Sequence, residues 1–181
     1  MDCDFGASTL WLGTLVVVSV LGAAPARAEH PPELMKFAGS YQFAGTDAEG
    51  MAVIDKAIGE ALSQMNKVKA LVIRKILEAN KRVIKQVKID LPAGRIHMKL
   101  DEMDVDAKLG DTKDISVGDN SAKLTVNFKG GKIEQVLESD RGAFTTVYQI
   151  VQGGQMLQRD VTVTDKWLDK PVRYRLMYKR R

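Results

Sequence analysis

Apolar residues recur every three or four positions along one long stretch of this chain, and mostly alternate with polar ones after it. Met51, Ile54, Ile58, Ala61, Leu62, Met65, Val68, Val72, Ile76 and Leu77 fall on one face of a helix or a pair of helices. Thr46 or Asp47 can cap the start, and Glu49 supplies an acidic first turn. Asn66 favours a helix end, so the spacing predicts two helices, together forming a helical lid over about 47–84. The second helix is basic: Lys67, Lys69, Arg74, Lys75, Lys81, Arg82 and Lys85 face a single acid, Glu78. Such a face is either plain solvated surface or a contact with an anionic membrane.

The remainder reads as strands. A first strand is expected within 37–45, where Phe37, Gly39, Tyr41 and Phe43 share a side. After the helices, Val83, Val87, Ile89 and Leu91 lead to Pro92-Ala93-Gly94, and Ile96, Met98 and Leu100 run into an acidic cluster from Asp101 to Asp106. Gly110-Asp111 and Gly118-Asp119-Asn120 bracket a short strand. Two hairpins follow, turning at Gly130-Gly131 and Gly153-Gly154, and a last strand over 172–180 comes after Pro171. About ten strands joined by tight turns predict a mainly β fold. A closed or nearly closed ten-stranded antiparallel barrel, with a two-helix cap inserted after the first strand, leaves fewest exposed edges.

Length and termini refine this picture. At 181 residues the chain holds one domain. Leu10 to Ala24 is an apolar run followed by Ala26-Arg27-Ala28, a small-x-small pattern, so residues 1–28 read as a signal peptide and 29–181 as a single domain. Asp2 and Asp4, with no Lys or Arg before the run, do not fit that reading, so either the start lies nearer Leu10 or export is less well specified. The run is also shorter than the roughly twenty residues of a membrane span. The single cysteine, Cys3, precedes the cleavage pattern, so the mature domain relies on packing alone. A periplasmic location is expected, with secretion as the alternative. Beyond residue 28 there are 26 Lys and Arg against 21 Asp and Glu, a formal +5. This mild excess favours membrane surfaces or other anions, and no nucleic-acid signature accompanies it.

Phe37-Ala38-Gly39-Ser40-Tyr41-Gln42-Phe43 resembles the opening F-x-G-x-W strand of the fatty-acid-binding and retinoid-binding family, within the lipocalin-like calycin barrels. Gly130-Gly131-Lys132-Ile133-Glu134-Gln135-Val136, Asp140, Thr145-Thr146-Val147, Gly154 and Met156-Leu157 are similar to the family's late hairpins. The helical insert is longer than the family's lid. The resemblance implies a ligand cavity inside the barrel beneath the helices. Laid on the family's carboxylate-binding arginines, this sequence has Gln149 at one position and Leu176 at the other, with Tyr178 in the place of the final tyrosine. That substitution implies a hydrophobic ligand that is neutral or hydroxyl-bearing rather than a free fatty acid, because a buried carboxylate without a cation is costly. Val147 shares the face of Gln149, and Ile58, Leu62 and Ile76 on the helices complete the expected lining. A carrier exchanging its ligand at anionic membranes through Lys67, Lys69, Arg74 and Lys75 is the function implied. A periplasmic lipid or lipoprotein chaperone on a half-open sheet, and a cyclase-like or isomerase-like enzyme, are the alternatives.

Three positions stay open on sequence alone. Arg159 shares a face with Leu157, Val161 and Val163, so either it is an inward anchor for an anionic ligand or the strand slips by one residue there. Phe144 and Tyr148 lie on one face of their strand, Val147 and Gln149 on the other, with no sign of which looks inward. The resemblance further implies a last-strand arginine packed over the first-strand aromatic at the closed end, a place that Arg173 or Arg175 could take over Tyr41. No cofactor is implied. His97 lacks a neighbouring nucleophile motif, and the acidic cluster lacks the glycine turn and closing glutamate of a calcium loop, so neither catalysis nor a metal is expected.

Overall fold

The computed structural model describes residues 30–117 and 120–181. The expected signal segment and the turn at 118–119 lie outside the described residues. A short helix α1 (Pro32–Met35) precedes β1 (Gly39–Phe43), and two helices, α2 (Asp47–Leu62) and α3 (Lys67–Asn80), follow it. Then come β2 (Gln86–Asp90), β3 (Arg95–Leu100), β4 (Met103–Lys108), β5 (Thr112–Val117), β6 (Asn120–Lys129), β7 (Lys132–Glu138), β8 (Gly142–Val151), β9 (Met156–Asp165) and β10 (Val172–Arg180). All ten strands form one antiparallel sheet in the order β4-β3-β2-β1-β10-β9-β8-β7-β6-β5. First and last strands in the chain are therefore neighbours, and the barrel is closed except for a seam where β4 and β5 do not pair. Gly110 N donates to Val126 O at 2.9 Å across this region. The barrel is thus nearly closed rather than the half-open sheet of the chaperone alternative.

Local chemistry explains the helices. Thr46 and Glu49 form a capping box: the Glu49 N–H donates to Thr46 Oγ1 at 3.3 Å, and the Thr46 N–H donates to Glu49 Oε2 at 2.7 Å. Asn66 ends the pause between helices by accepting from the Val68 N–H at 2.9 Å. Ile54, Ala57, Ile58, Ala61 and Leu62 of α2 are buried in the core, and α2 lies against β10. Lys81 pairs with Asp55 at 2.5 Å and Lys69 with Asp169 at 3.1 Å, tying the ends of α3 to α2 and to the β9–β10 connection.

In α3 the expected face is rotated. Ile73 is buried and Ala70 and Leu77 pack on the core, whereas Val68 (75% exposed), Leu71 (59%), Val72 and Ile76 face outward. The apolar residues of α3 are spread around more than half its circumference, so the helix has two apolar stripes, and only contact with the barrel selects which is buried.

The acidic cluster is divided between a turn and a strand. Asp101 sits in the β3–β4 turn and accepts from the backbone N–H groups of Lys85 and Gln86. Asp104 and Asp106 belong to β4, where Val105 and Ala107 point into the core. Asp106 holds Arg95 through two bonds of 2.9 and 2.7 Å, and the guanidinium keeps its carboxyl below the usual range. Among the described residues no group of three or more His, Cys, Asp and Glu is arranged to hold a metal ion.

At the closed end, α1 and the following residues form a plug in which Leu34 and Phe37 are buried and the ring of Phe37 meets that of Phe128 edge-on at 6.1 Å. The cation over Tyr41 is Arg180, not Arg173 or Arg175. Arg175 instead reaches across to Asp160 on the outer face, and Arg173 is exposed. Tyr41 stands directly opposite Arg180 in the β1–β10 ladder. That neighbour across the sheet cannot be read from either strand alone.

Candidate functional site

Strand register decides which side chains look inward. Across the four adjacent strands β7 to β10, Ile133, Tyr148, Arg159 and Leu176 stand opposite one another in one row. One step toward the helices lies a row of Gln135, Thr146, Val161 and Tyr174, and one step the other way, on β8 to β10, Ile150, Leu157 and Tyr178. Ile133, Tyr148, Leu157, Val161, Leu176 and Tyr178 are all within 2% of full burial. This is the inner face.

Gln149 and Val147 are on the other face, which corrects their expected place in the lining. Gln149 is opposite Lys132 and Gln158, and Val147 is opposite Glu134 and Asp160, a polar row on the outside of the barrel. An antiparallel strand alternates strictly, so Tyr148 and Thr146 take the inward places that Val147 and Gln149 vacate. Leu176 and Tyr178 are inward and buried. Ile58 and Leu62, on α2, are buried, while Ile76, 37% exposed, stands at the rim. Of the four basic residues on α3, Lys67 and Lys75 are exposed, Lys69 pairs with Asp169, and Arg74 pairs with Glu78 at 3.6 Å.

Arg159 is the unusual member of the interior. It is 4% exposed, and its Nε and Nη1 have no hydrogen-bond partner. Among the described residues no carboxylate pairs with it. Burial is the largest influence and works against its charge, while the oxygens of Tyr148, Tyr178 and Tyr174 act in its favour. An arginine keeps its proton even there. The tyrosines respond to the same surroundings: burial raises all three, against the pull of Arg159, and Tyr178 is pushed up to about 12. The Tyr178 hydroxyl has no hydrogen-bond partner, and that of Tyr148 donates to Gln135 Oε1 at 3.4 Å. A buried cation ringed by neutral hydroxyls is one negative charge short of satisfied.

A pocket of about 290 Å³ opens at the mouth of the barrel, between α3 and the ends of β6 to β9. Ile76, Leu77, Leu137, Phe144 and Val163 give it apolar walls. Phe144 and Val163 lie on the same inward faces as Tyr148 and Arg159, four residues away. At about 3.3 Å per residue of strand, the mouth and the cation are about 13 Å apart. Gly142 sits at this rim because a Cβ there would come within 2.1 Å of the Thr164 carbonyl oxygen. His97, by contrast, is on the outside, 3.7 Å from Asp90 and 3.5 Å from Asp104.

No protein-family model matches the sequence, and no curated protein matches it. Solved structures do. A secretory abundant heat soluble (SAHS) protein from Ramazzottius varieornatus aligns with a TM-score of 0.52 at 15% identity, over 81% of this chain and 96% of its own. The fatty acid binding protein of Schistosoma mansoni, solved with arachidonic acid, aligns with a TM-score of 0.51 at 15% identity, over 82% and 98%. Fatty-acid-binding protein 1 of Echinococcus granulosus gives 0.50 at 16%, over 81% and 98%. The fold is thus the calycin barrel that fatty-acid-binding proteins share. At these identities the likeness extends to the fold and no further.

Proposed function

We propose that this protein is a non-enzymatic carrier that encloses an amphipathic small molecule with its anionic group, such as a carboxylate, at Arg159 and its apolar part toward the mouth. The observation that carries this reading is the buried guanidinium of Arg159 inside the barrel, whose Nε and Nη1 have no hydrogen-bond partner. An isolated charge in such a place is costly unless something arrives to pair with it. A neutral ligand is favoured only if the interior lacks a cation, and Arg159 removes that premise. The calycin-type fold and the apolar mouth support the carrier reading over a cyclase or isomerase.

Two further parts of the proposal concern place and exchange. The apolar run and small-x-small pattern before Glu29 support export, with the periplasm as the working compartment. Exchange takes place at anionic membrane through α3, whose outward stripe of Val68, Leu71 and Val72 is flanked by Lys67 and Lys75. Apolar insertion and basic residues act together on such a surface.

The test is displacement of a fluorescent fatty-acid analogue by palmitate and by its alcohol, on the wild type and on Arg159→Met. A charge-assisted hydrogen bond contributes about 1.5–3 kcal/mol, so the variant should lose roughly ten- to hundredfold for the acid and little for the alcohol. Without ligand, Arg159→Met should be at least as stable as the wild type in urea, since an unpaired charge leaves the core. Equal displacement by acid and alcohol, together with an inert variant, overturns the proposal.

A further inference from the structure

A second buried polar pair lies between Arg159 and the mouth. Gln135 and Thr146 are direct partners across β7 and β8, in the row one step nearer the helices than Tyr148 and Arg159. Thr146 is 1% exposed and its Oγ1 has no hydrogen-bond partner in the protein. Gln135 is 8% exposed, and its one bond is the 3.4 Å contact with the Tyr148 hydroxyl, made through Oε1. Its amide N–H₂ is uncommitted. Buried polar groups are nearly always bonded, and those that are not call for a physical reason. Packing gives none here, because valine has the shape of threonine without its hydroxyl.

We infer that Thr146 and Gln135 form a second polar subsite, and that the ligand is an amphipathic acid bearing a hydroxyl or keto oxygen partway along its apolar chain. This inference rests on the carrier reading, since it takes Arg159 as the place of the acid group. Two residues of strand separate the rows, which sets the second oxygen about 6–7 Å from the first. Thr146 can donate or accept through Oγ1 and Gln135 can donate through its amide, so an acceptor oxygen between them satisfies both. A plain methylene at the same place would strip water from both groups and return nothing. The subsite therefore discriminates against unsubstituted chains as well as for oxygenated ones.

The experiment compares palmitate with palmitates hydroxylated next to the carboxylate, about a third of the way along, and at the far tip, each displacing the same fluorescent analogue. On the wild type the isomer hydroxylated a third of the way along should bind about two- to tenfold tighter than palmitate, and the other two should not. Thr146→Val should erase that preference, and Thr146→Ser, which keeps the hydroxyl, should retain it. Two results overturn the subsite. If palmitate binds and depends on Arg159 but no hydroxylated isomer is preferred, the subsite is wrong and the carrier stands. If no acid binds at all, the carrier reading fails and takes the subsite with it.

Discussion

The guanidinium of Arg180 lies 5.1 Å from the ring centre of Tyr41, on the neighbouring strand, and Nη2 donates to the Tyr41 hydroxyl at 2.6 Å. The same side chain donates to the carbonyls of Ala38, at 3.2 Å, and Lys36. The Tyr41 hydroxyl in turn donates to Phe37 O at 2.9 Å. One arginine from the last strand thus fastens the first strand and the plug that precedes it, and so closes the barrel where its two chain ends meet.

Arg180→Met should therefore destabilise the protein by about 2–4 kcal/mol, because a cation–π contact and several charge-assisted hydrogen bonds are lost together. Arg173→Met should be nearly silent, and Arg175→Met should cost no more than about 1 kcal/mol, the range of an exposed ion pair. Urea unfolding of the three variants checks this. A loss at Arg173 or Arg175 equal to that at Arg180 would place the fastening elsewhere.

The buried tyrosines predict how stability depends on alkaline pH. Tyr178 titrates at about 12 in the folded protein against an ordinary 10.0, and Tyr148, Tyr174 and Tyr41 are raised as well. Between those values the unfolded chain gives up a proton that the folded protein keeps, so rising pH favours unfolding. The stability these groups contribute is intact below pH 10.0 and is lost as pH climbs through the folded values. Each tyrosine contributes a slope of about 1.4 kcal/mol per pH unit within its window. Urea midpoints measured across this range should show a combined slope steeper than one proton, and Tyr178→Phe should reduce it by about one. An unchanged slope in that variant would mean Tyr178 titrates normally.

The two stripes of α3 predict opposite behaviour for substitutions five residues or fewer apart. Leu71→Ser and Val68→Ser, on the exposed stripe, should leave stability within about 0.5 kcal/mol. They should slow transfer of a fluorescent fatty acid to vesicles containing anionic lipid. Ile73→Ser, on the buried stripe, should destabilise by about 2–5 kcal/mol through a cavity and a buried hydroxyl. Lys67→Glu with Lys75→Glu should weaken the dependence of transfer on vesicle charge and salt. Transfer that ignores vesicle charge, salt and Leu71 alike would mean the ligand leaves through water.

Much of this molecule is legible in its residues because local rules govern most of it. The capping box at Thr46 and Glu49, the helix start at Asn66, and the glycine turns at Gly130-Gly131 and Gly153-Gly154 depend only on nearby neighbours. So does the alternation that places Leu176 and Tyr178 on one face. These features suffice for two helices and a run of hairpins, and the short pattern around Tyr41 and the late hairpins carries the family resemblance.

What tertiary structure alone decides is orientation. Alternation sorts Val147 and Gln149 from Thr146 and Tyr148 but is symmetric between the two faces of a strand. Only pairing with Ile133 on one side and Arg159 on the other turns Tyr148 inward. The same holds for α3, whose two apolar stripes are equivalent until the barrel buries Ile73 and leaves Leu71 in water. Burial of the Arg159 charge is likewise a property of the folded interior, where oxygens from three tyrosines on two different strands lie near it. Period and propensity act within a few residues, so they determined the elements. Which way each element faces is set by contacts across the sheet, between residues far apart in the chain, and so the choice between an inward Arg159 and a slipped strand was made only by the closed barrel.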